Sequence, residues 1–276
     1  MLNKMKGYLF DLDGCLYFGD MPAPGAAELL SKLRAAGKKV AFVTNNSRQG
    51  AEEVRDKLER MGISAFREEI VTATEYAGRF IRDRYGTVTA TVVGSDLLQA
   101  SVEAEGHRSL ALDCDEPLDV VLVGRDTEFT YDKLSAIIRH AENGTRIIAT
   151  NPDLFHPGAG GGKVPETGAL TVSAEAVIGA GEIEYVGKPA PYMLQQGMRI
   201  CGVRADECVM IGDNYSTDIL GGMNAGMRTL WVAGDASSQL STRRAPGAEA
   251  ATEAVFDRRP DWVVGRISDI VSLLEE

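Results

Sequence analysis

Tyr8-Leu9-Phe10-Asp11-Leu12-Asp13-Gly14 is a short apolar run that empties into two acids and a glycine. The apolar residues predict a buried strand, and Gly14 marks its end. Alternation along a strand would send Asp11 and Asp13 roughly the same way, although the strand breaks into a loop there. Two carboxylates held close repel. A metal, a shared proton or a substrate is the usual reason to tolerate that. Asp and Gly are also ordinary turn residues, so the motif alone admits a plain turn. Three later segments decide between these readings.

Val40-Ala41-Phe42-Val43-Thr44-Asn45-Asn46-Ser47-Arg48 is a second apolar strand, ending in small hydroxyl and amide residues. Such residues and their backbone N–H groups suit phosphate oxygens. Asn46 or Ser47 is also a fitting N-cap for a helix running to Met61. Val186-Gly187-Lys188-Pro189-Ala190-Pro191 holds a lysine on a constrained turn. A fixed cation there can neutralise a phosphoryl group, whereas the plain alternative is a surface lysine before a proline-initiated helix. Cys208-Val209-Met210-Ile211-Gly212-Asp213-Asn214-Tyr215-Ser216-Thr217-Asp218-Ile219 is a third strand ending in Gly-Asp, with a second acid at a helix start. Strand-end carboxylates are hard ligands suited to Mg²⁺, while Asp218 also fits the first turn of a helix.

Each segment sits at or just after the C-terminal end of an expected strand, the edge where open parallel α/β sheets bind ligands. Their order and content resemble the haloacid dehalogenase superfamily, within it the NagD-type and p-nitrophenyl phosphatase-like subfamily. The supporting residues are Asp11-Leu12-Asp13-Gly14, Thr44 to Arg48, Val123-Gly124-Arg125-Asp126, Ala149-Thr150-Asn151-Pro152-Asp153, Val186 to Pro189, and Gly212-Asp213 with Asp218. The resemblance covers nearly the whole chain. Cys15 departs from it, since relatives more often carry Thr or Val there; the position mainly supplies backbone.

The 276 residues suffice for one large domain or two modest ones. Strand and helix patterns alternate, which predicts an α/β fold. Strands are expected near 7–10, 39–43 and 70–72, with helices over 25–36, up to 61 and over 74–84. A further set follows: strands at 90–93, 120–123 and 147–149, helices at 97–105 and 131–143. Strands at 207–211, 228–232 and 262–264 then return to the opening style. The parsimonious reading is a discontinuous core, residues 1–86 and 183–276, with an α/β insertion at 87–182. The resemblance implies the same plan, a Rossmann-like parallel-sheet core carrying a smaller α/β cap.

A formal net charge of −11 argues against a nucleic acid polymer or an anionic membrane as partner. Cys15, Cys114, Cys201 and Cys208 form no CxxC pair and no zinc spacing, so a reduced cytoplasm is the simplest setting. The N-terminus lacks the pattern of a signal peptide, and no apolar run reaches transmembrane length. Pro157 to Glu166 is rich in glycine but fails the P-loop spacing, and reads as a flexible loop. His107, His140 and His156 are too dispersed for a metal pattern and are expected mostly at the surface.

The resemblance implies a Mg²⁺-dependent phosphomonoesterase working through an aspartyl-phosphate. Asp11 is then the nucleophile and Asp13 the general acid and base. Asp11, Asp213 and the Asp13 carbonyl would hold the metal, with Asn214 and Asp218 as outer-sphere or helix-cap groups. Thr44 and the Asn45 amide would bind phosphoryl oxygens, and Lys188 would pair with Asp11 and the phosphate. Asn151, Asp153 and Lys163 are candidate substrate contacts from the cap, though an Asx turn explains Asn151-Pro152-Asp153 equally well. The substrate would be a small phosphorylated metabolite, and the family often dimerises through its cap. A carbon-attacking dehalogenase would need neither Asp13 nor Asp213. A non-catalytic binding protein would be expected to lack one of the four signals. A phosphotransferase or mutase on the same core stays open.

Overall fold

The computed structural model describes residues 2–157, 162–234 and 258–275. Most of the glycine-rich stretch, residues 158–161, lies outside the described residues. The fold is α/β, as expected, and contains two extended sheets. Its residues group into two compact units. One comprises Met1–Val43, Arg55–Ile70 and Leu194–Glu276; the other comprises Thr44–Val54 and Val71–Met193.

The first sheet has six strands in the order β15-β14-β13-β1-β4-β5. These are Gly7–Phe10 (β1), Lys39–Thr44 (β4), Ile70–Thr72 (β5), Cys208–Gly212 (β13), Arg228–Val232 (β14) and Trp262–Val264 (β15). The registered pairs are parallel, with Phe10 opposite both Ile211 and Phe42. β1 and β13 are buried at every position. That explains their unbroken apolar runs, because a strand covered on both faces has no polar side. Helix α1 (Ala26–Ala35) buries Ala26, Leu29, Leu30 and Leu33, the i, i+3, i+4, i+7 stripe of an amphipathic helix.

The second sheet is parallel, in the order β12-β9-β8-β6-β7. It consists of Thr89–Val93 (β6), Arg108–Ser109 (β7), Val120–Val123 (β8), Arg146–Ala149 (β9) and Ile183–Tyr185 (β12). Val93, Val121, Val123, Ile137, Ile147 and Ala174 centre its core. A small antiparallel ribbon pairs Phe155–Pro157 (β10) with Lys163–Pro165 (β11). Helix α6 follows at Thr167–Ile178.

The sequence division at 86 and 182 differs from these units. Residues 44–54, 71–86 and 183–193 group with the second one. Two local packings account for the outer edges. Helix α3 (Ala73–Tyr85) lies so close to α4 (Asp96–Ala104) that a Cβ on Gly78 would fall 2.2 Å from the Ser101 carbonyl. β12 pairs with β9, which carries the sheet past residue 182.

Candidate active site

In the first sheet the strand order reverses between β1 and β13. From β1 the chain steps outward through β4 to β5, and from β13 it steps the other way through β14 to β15. At such a switch point the loops leaving the two strands diverge and open a crevice beyond their C-terminal ends. The ladder runs one residue past β1, because the Asp11 amide donates to the Ile211 carbonyl at 2.8 Å. Asp11 therefore stands at that edge next to Gly212 and Asp213.

Asp11, Asp213 and Asp218 each bring a carboxylate oxygen within 4.8 Å of the others, and all three are buried. Their backbone is built to allow this. Gly14 has φ +91°, and a Cβ there would lie 2.5 Å from Asp213 Oδ2. A Cβ on Gly212 would lie 2.2 Å from Asp218 Oδ2. After Asn214 the chain winds as one wide π-type turn, Tyr215–Ile219. This turn swings Asp218 back over the strand end, where Oδ2 accepts from the Asn214 amide at 3.0 Å. The Asn214 side chain caps the same turn, accepting from the Ser216 amide at 3.1 Å. The indole of Trp231 fixes Asp213 from behind, donating to its carbonyl at 2.9 Å. Three buried oxygen donors of like charge fit a hard divalent cation and offer nothing to a metal that wants nitrogen or sulfur.

Asp13 is exposed, and its carboxylate is not part of that trio. The loop around it is tight: the Leu12 carbonyl accepts from the amides of Cys15, Leu16 and Tyr17. Tyr17 reports on both acids. Burial, then the charges of Asp13, Asp11 and Asp20, push its phenol far up, so it stays neutral. Cys15 is buried, with its thiol against the Ile211 carbonyl.

The second unit contains the other candidates. Thr44 is buried at the end of β4, and its hydroxyl accepts from the Asn46 amide at 3.2 Å. Asn46 makes an Asx turn, accepting from the amides of Arg48 and Gln49, and the next helix, α2 (Ala51–Arg60), starts later than either expected cap. Lys188 is only 1% exposed, before a cis peptide to Pro189. Its amide donates to Asn45 Oδ1 at 2.8 Å, and its carbonyl accepts from Asn45 Nδ2 at 3.0 Å. Asn45 Nδ2 also donates to Asp153 Oδ2 at 3.0 Å. Asn151 is buried; it donates to the Asn45 carbonyl at 2.8 Å and accepts from the Asp153 amide at 3.0 Å. The structure thus gathers Asn45, Asn151, Asp153 and Lys188 into one network. Lys163 is exposed on β11, with its ammonium 4.4 Å from the Phe155 ring centre.

The histidines differ from the surface positions expected of them. His107 and His140 are buried linkers: His107 accepts from the Val88 amide and meets the Gly78 carbonyl, and His140 meets the Leu112 carbonyl. His156 is half-buried against Glu166 at 2.6 Å. An imidazole has a polar atom at two corners, so it can tie two loops together without any metal. The hydrogen bond from Trp231 to Asp213 is one that the sequence did not offer, because an aromatic in an apolar strand carries no sign of a polar partner.

Models of the haloacid dehalogenase-like hydrolases match residues 8–108 and 59–226, and a HAD-hydrolase-like model matches 185–270. An acid sugar phosphatase of Staphylococcus aureus is 34% identical over 231 residues, covering 84% of this chain and 87% of that protein. Among solved structures, a 4-nitrophenylphosphatase from Thermotoga maritima superposes with a TM-score of 0.80 at 28% identity, covering 98% of each chain. NagD from Escherichia coli K-12 gives 0.80 at 27% identity, covering 96% of this chain and 98% of its own.

Proposed function

The chain belongs to the haloacid dehalogenase-like hydrolase family, in the branch of NagD and the p-nitrophenyl phosphatases, and on that premise we propose that it is a Mg²⁺-dependent phosphatase of small phosphomonoesters. The observation that carries this reading is the buried trio of Asp11, Asp213 and Asp218 at the switch point of the sheet. Asp11, Asp213 and the Asp13 carbonyl would hold the ion, with Asp218 beside them. When bound, Mg²⁺ would neutralise phosphoryl charge and relieve the repulsion between anionic substrate and anionic nucleophile.

The residues carry the rest. An Asp11 oxygen attacks phosphorus in line, and the bond to the leaving oxygen breaks as Asp13 gives that oxygen a proton. Asp13 then takes a proton from water, whose oxygen attacks the aspartyl-phosphate. The Asp11–phosphorus bond breaks and inorganic phosphate leaves. Giving and then taking a proton requires of Asp13 a pKa near the working pH, which the neighbouring charges would tune. Thr44 and the Asn45 main-chain amide hold phosphoryl oxygens, and Lys188 supplies a fixed positive charge. The insertion at 87–182 acts as the cap that chooses the leaving group, with Lys163 as a candidate contact.

The Staphylococcus relative, an acid sugar phosphatase, favours sugar phosphates as the first substrates to test. The acidic chain favours a small metabolite over nucleic acid or membrane surface. Among the described residues no helix is long and apolar enough to cross a membrane. Cys15, Cys114, Cys201 and Cys208 form no disulfide with one another, which supports a cytoplasmic setting. Light scattering tests whether the chain is the homodimer that the resemblance implies.

Phosphate release from a panel of phosphomonoesters, with Mg²⁺ and after chelation, tests the reading. Turnover of at least one small ester that stops on chelation is expected. Chelator-resistant turnover, or none on any ester, would overturn it.

A further inference from the structure

Asn45 reads as a phosphate ligand in the sequence, yet its side chain is committed elsewhere. A carboxamide has two N–H donors and one carbonyl oxygen. Both hydrogens of Asn45 Nδ2 have acceptors, the Lys188 carbonyl and Asp153 Oδ2, each at 3.0 Å. The oxygen accepts from the Lys188 amide at 2.8 Å. The orientation is chemically fixed: a flipped carboxamide would set N–H against N–H at Lys188 and oxygen against the Asp153 carboxylate.

The backbone shows why such a device sits there. Beyond β12 the ladder continues, as the amides of Val186 and Gly187 donate to the carbonyls of Ala149 and Thr150 at 2.9 and 2.8 Å. At Lys188 the side chain of Asn45 takes the place of the neighbouring strand, answering both the N–H and the C=O of one residue. Gly187 makes room for it, since a Cβ there would lie 2.5 Å from Asn45 Oδ1 and 2.6 Å from the Thr150 carbonyl. Asn151 secures the main chain of Asn45 as well.

We propose that the Asn45 carboxamide is the positioning residue of Lys188, clamping its main chain so that the buried ammonium is presented in one place. Asp153 then sets the polarity of the clamp. This rests on the proposed role of Lys188 as the active-site cation.

Two readouts separate the clamp from that role. Hydrogen exchange at the Lys188 amide needs no substrate. Asn45→Ala is expected to speed it at least about tenfold, the scale of one lost hydrogen bond, with the fold intact by circular dichroism. Asn45→Asp alone sets two carboxylates together and should act likewise. Adding Asp153→Asn, which returns a donor to the pair, should restore slow exchange. On p-nitrophenyl phosphate, Asn45→Ala should lower kcat more than it raises KM, and should add under about twofold to the loss in Lys188→Ala, since residues acting as a unit are not additive. Unchanged exchange at Lys188 in Asn45→Ala would overturn the clamp even if the protein proved to be no phosphatase. Losses that multiplied with Lys188→Ala would show Asn45 acting on substrate directly, and would overturn its positioning role.

Discussion

The Trp231 indole donates to the main-chain carbonyl of Asp213 at 2.9 Å, so a half-buried aromatic on β14 holds the acid that follows β13. Tyr215 packs edge-on against the same indole, with ring centres 5.5 Å apart. Trp231→Phe keeps an aromatic ring beside Tyr215 and removes the hydrogen bond, a loss of about 1 kcal/mol. Mg²⁺ affinity by titration calorimetry should fall several-fold with little change in Tm. Unaltered affinity would show that the indole does not position Asp213.

Asp11→Asn should abolish turnover, by at least about 10³-fold, because an uncharged carboxamide cannot serve as the nucleophile. It also removes one charge from the buried trio, so the metal-free protein should melt no lower than wild type. Phosphate release and thermal melting check both points. Activity within tenfold of wild type would remove Asp11 as nucleophile.

If the trio is the Mg²⁺ site proposed above, Mg²⁺ should stabilise the fold, since it would bind the folded chain and not the unfolded one. At a hundred times its dissociation constant the gain is about 2.7 kcal/mol. Melting with and without chelator reads it, and Asp213→Asn should abolish the shift. Ca²⁺ should also raise Tm while suppressing turnover, because it prefers more ligands and a looser geometry than in-line attack allows.

Tyr8 should make the protein sensitive to alkali. It is fully buried, donates to the Leu2 carbonyl at 2.7 Å, and burial pushes its phenol up from 10.0 to about 12. A group whose folded pKa is raised contributes fully below its unfolded pKa and loses that contribution as pH climbs toward the folded value. The window is therefore pH 10 to 12. Of the stability lost between pH 9 and pH 11, about 1 kcal/mol is assigned to Tyr8. Urea unfolding of Tyr8→Phe at both pH values should show that much less loss. An equal loss in both proteins would acquit the phenol.

Lys163→Ala should raise KM for the best sugar phosphate of the panel by several-fold and leave kcat near wild type, because an exposed cap lysine adds binding and no chemistry. The smaller p-nitrophenyl phosphate should be affected less. An equal fall in kcat on both substrates, at constant KM, would place Lys163 in the chemical step.

Three of the strand-end motifs were legible in the chain itself because their signal is local. A strand buried on both faces must be apolar throughout, so the acid or amide at its end stands out in Phe10-Asp11, Val43-Thr44-Asn45 and Ile211-Gly212-Asp213. Element order followed from the same patterning. Helix α6 and strand β12 escaped, because Thr167–Ile178 has apolar residues without a clear stripe and Ile183–Tyr185 is only three residues long. What the sequence left open was which polar atoms meet. Asp218 looked like a helix-turn acid until the wide turn at Tyr215–Ile219 brought it onto Asp11 and Asp213. The partners of the Asn45 carboxamide were not legible either: they are Asp153 and Lys188, 108 and 143 residues further along. Periodicity fixes which face of an element is buried, because burial is a property of neighbours a few residues apart. Hydrogen-bond partners are chosen by buried polar groups that must be satisfied wherever the fold delivers them, and only the tertiary structure makes that delivery.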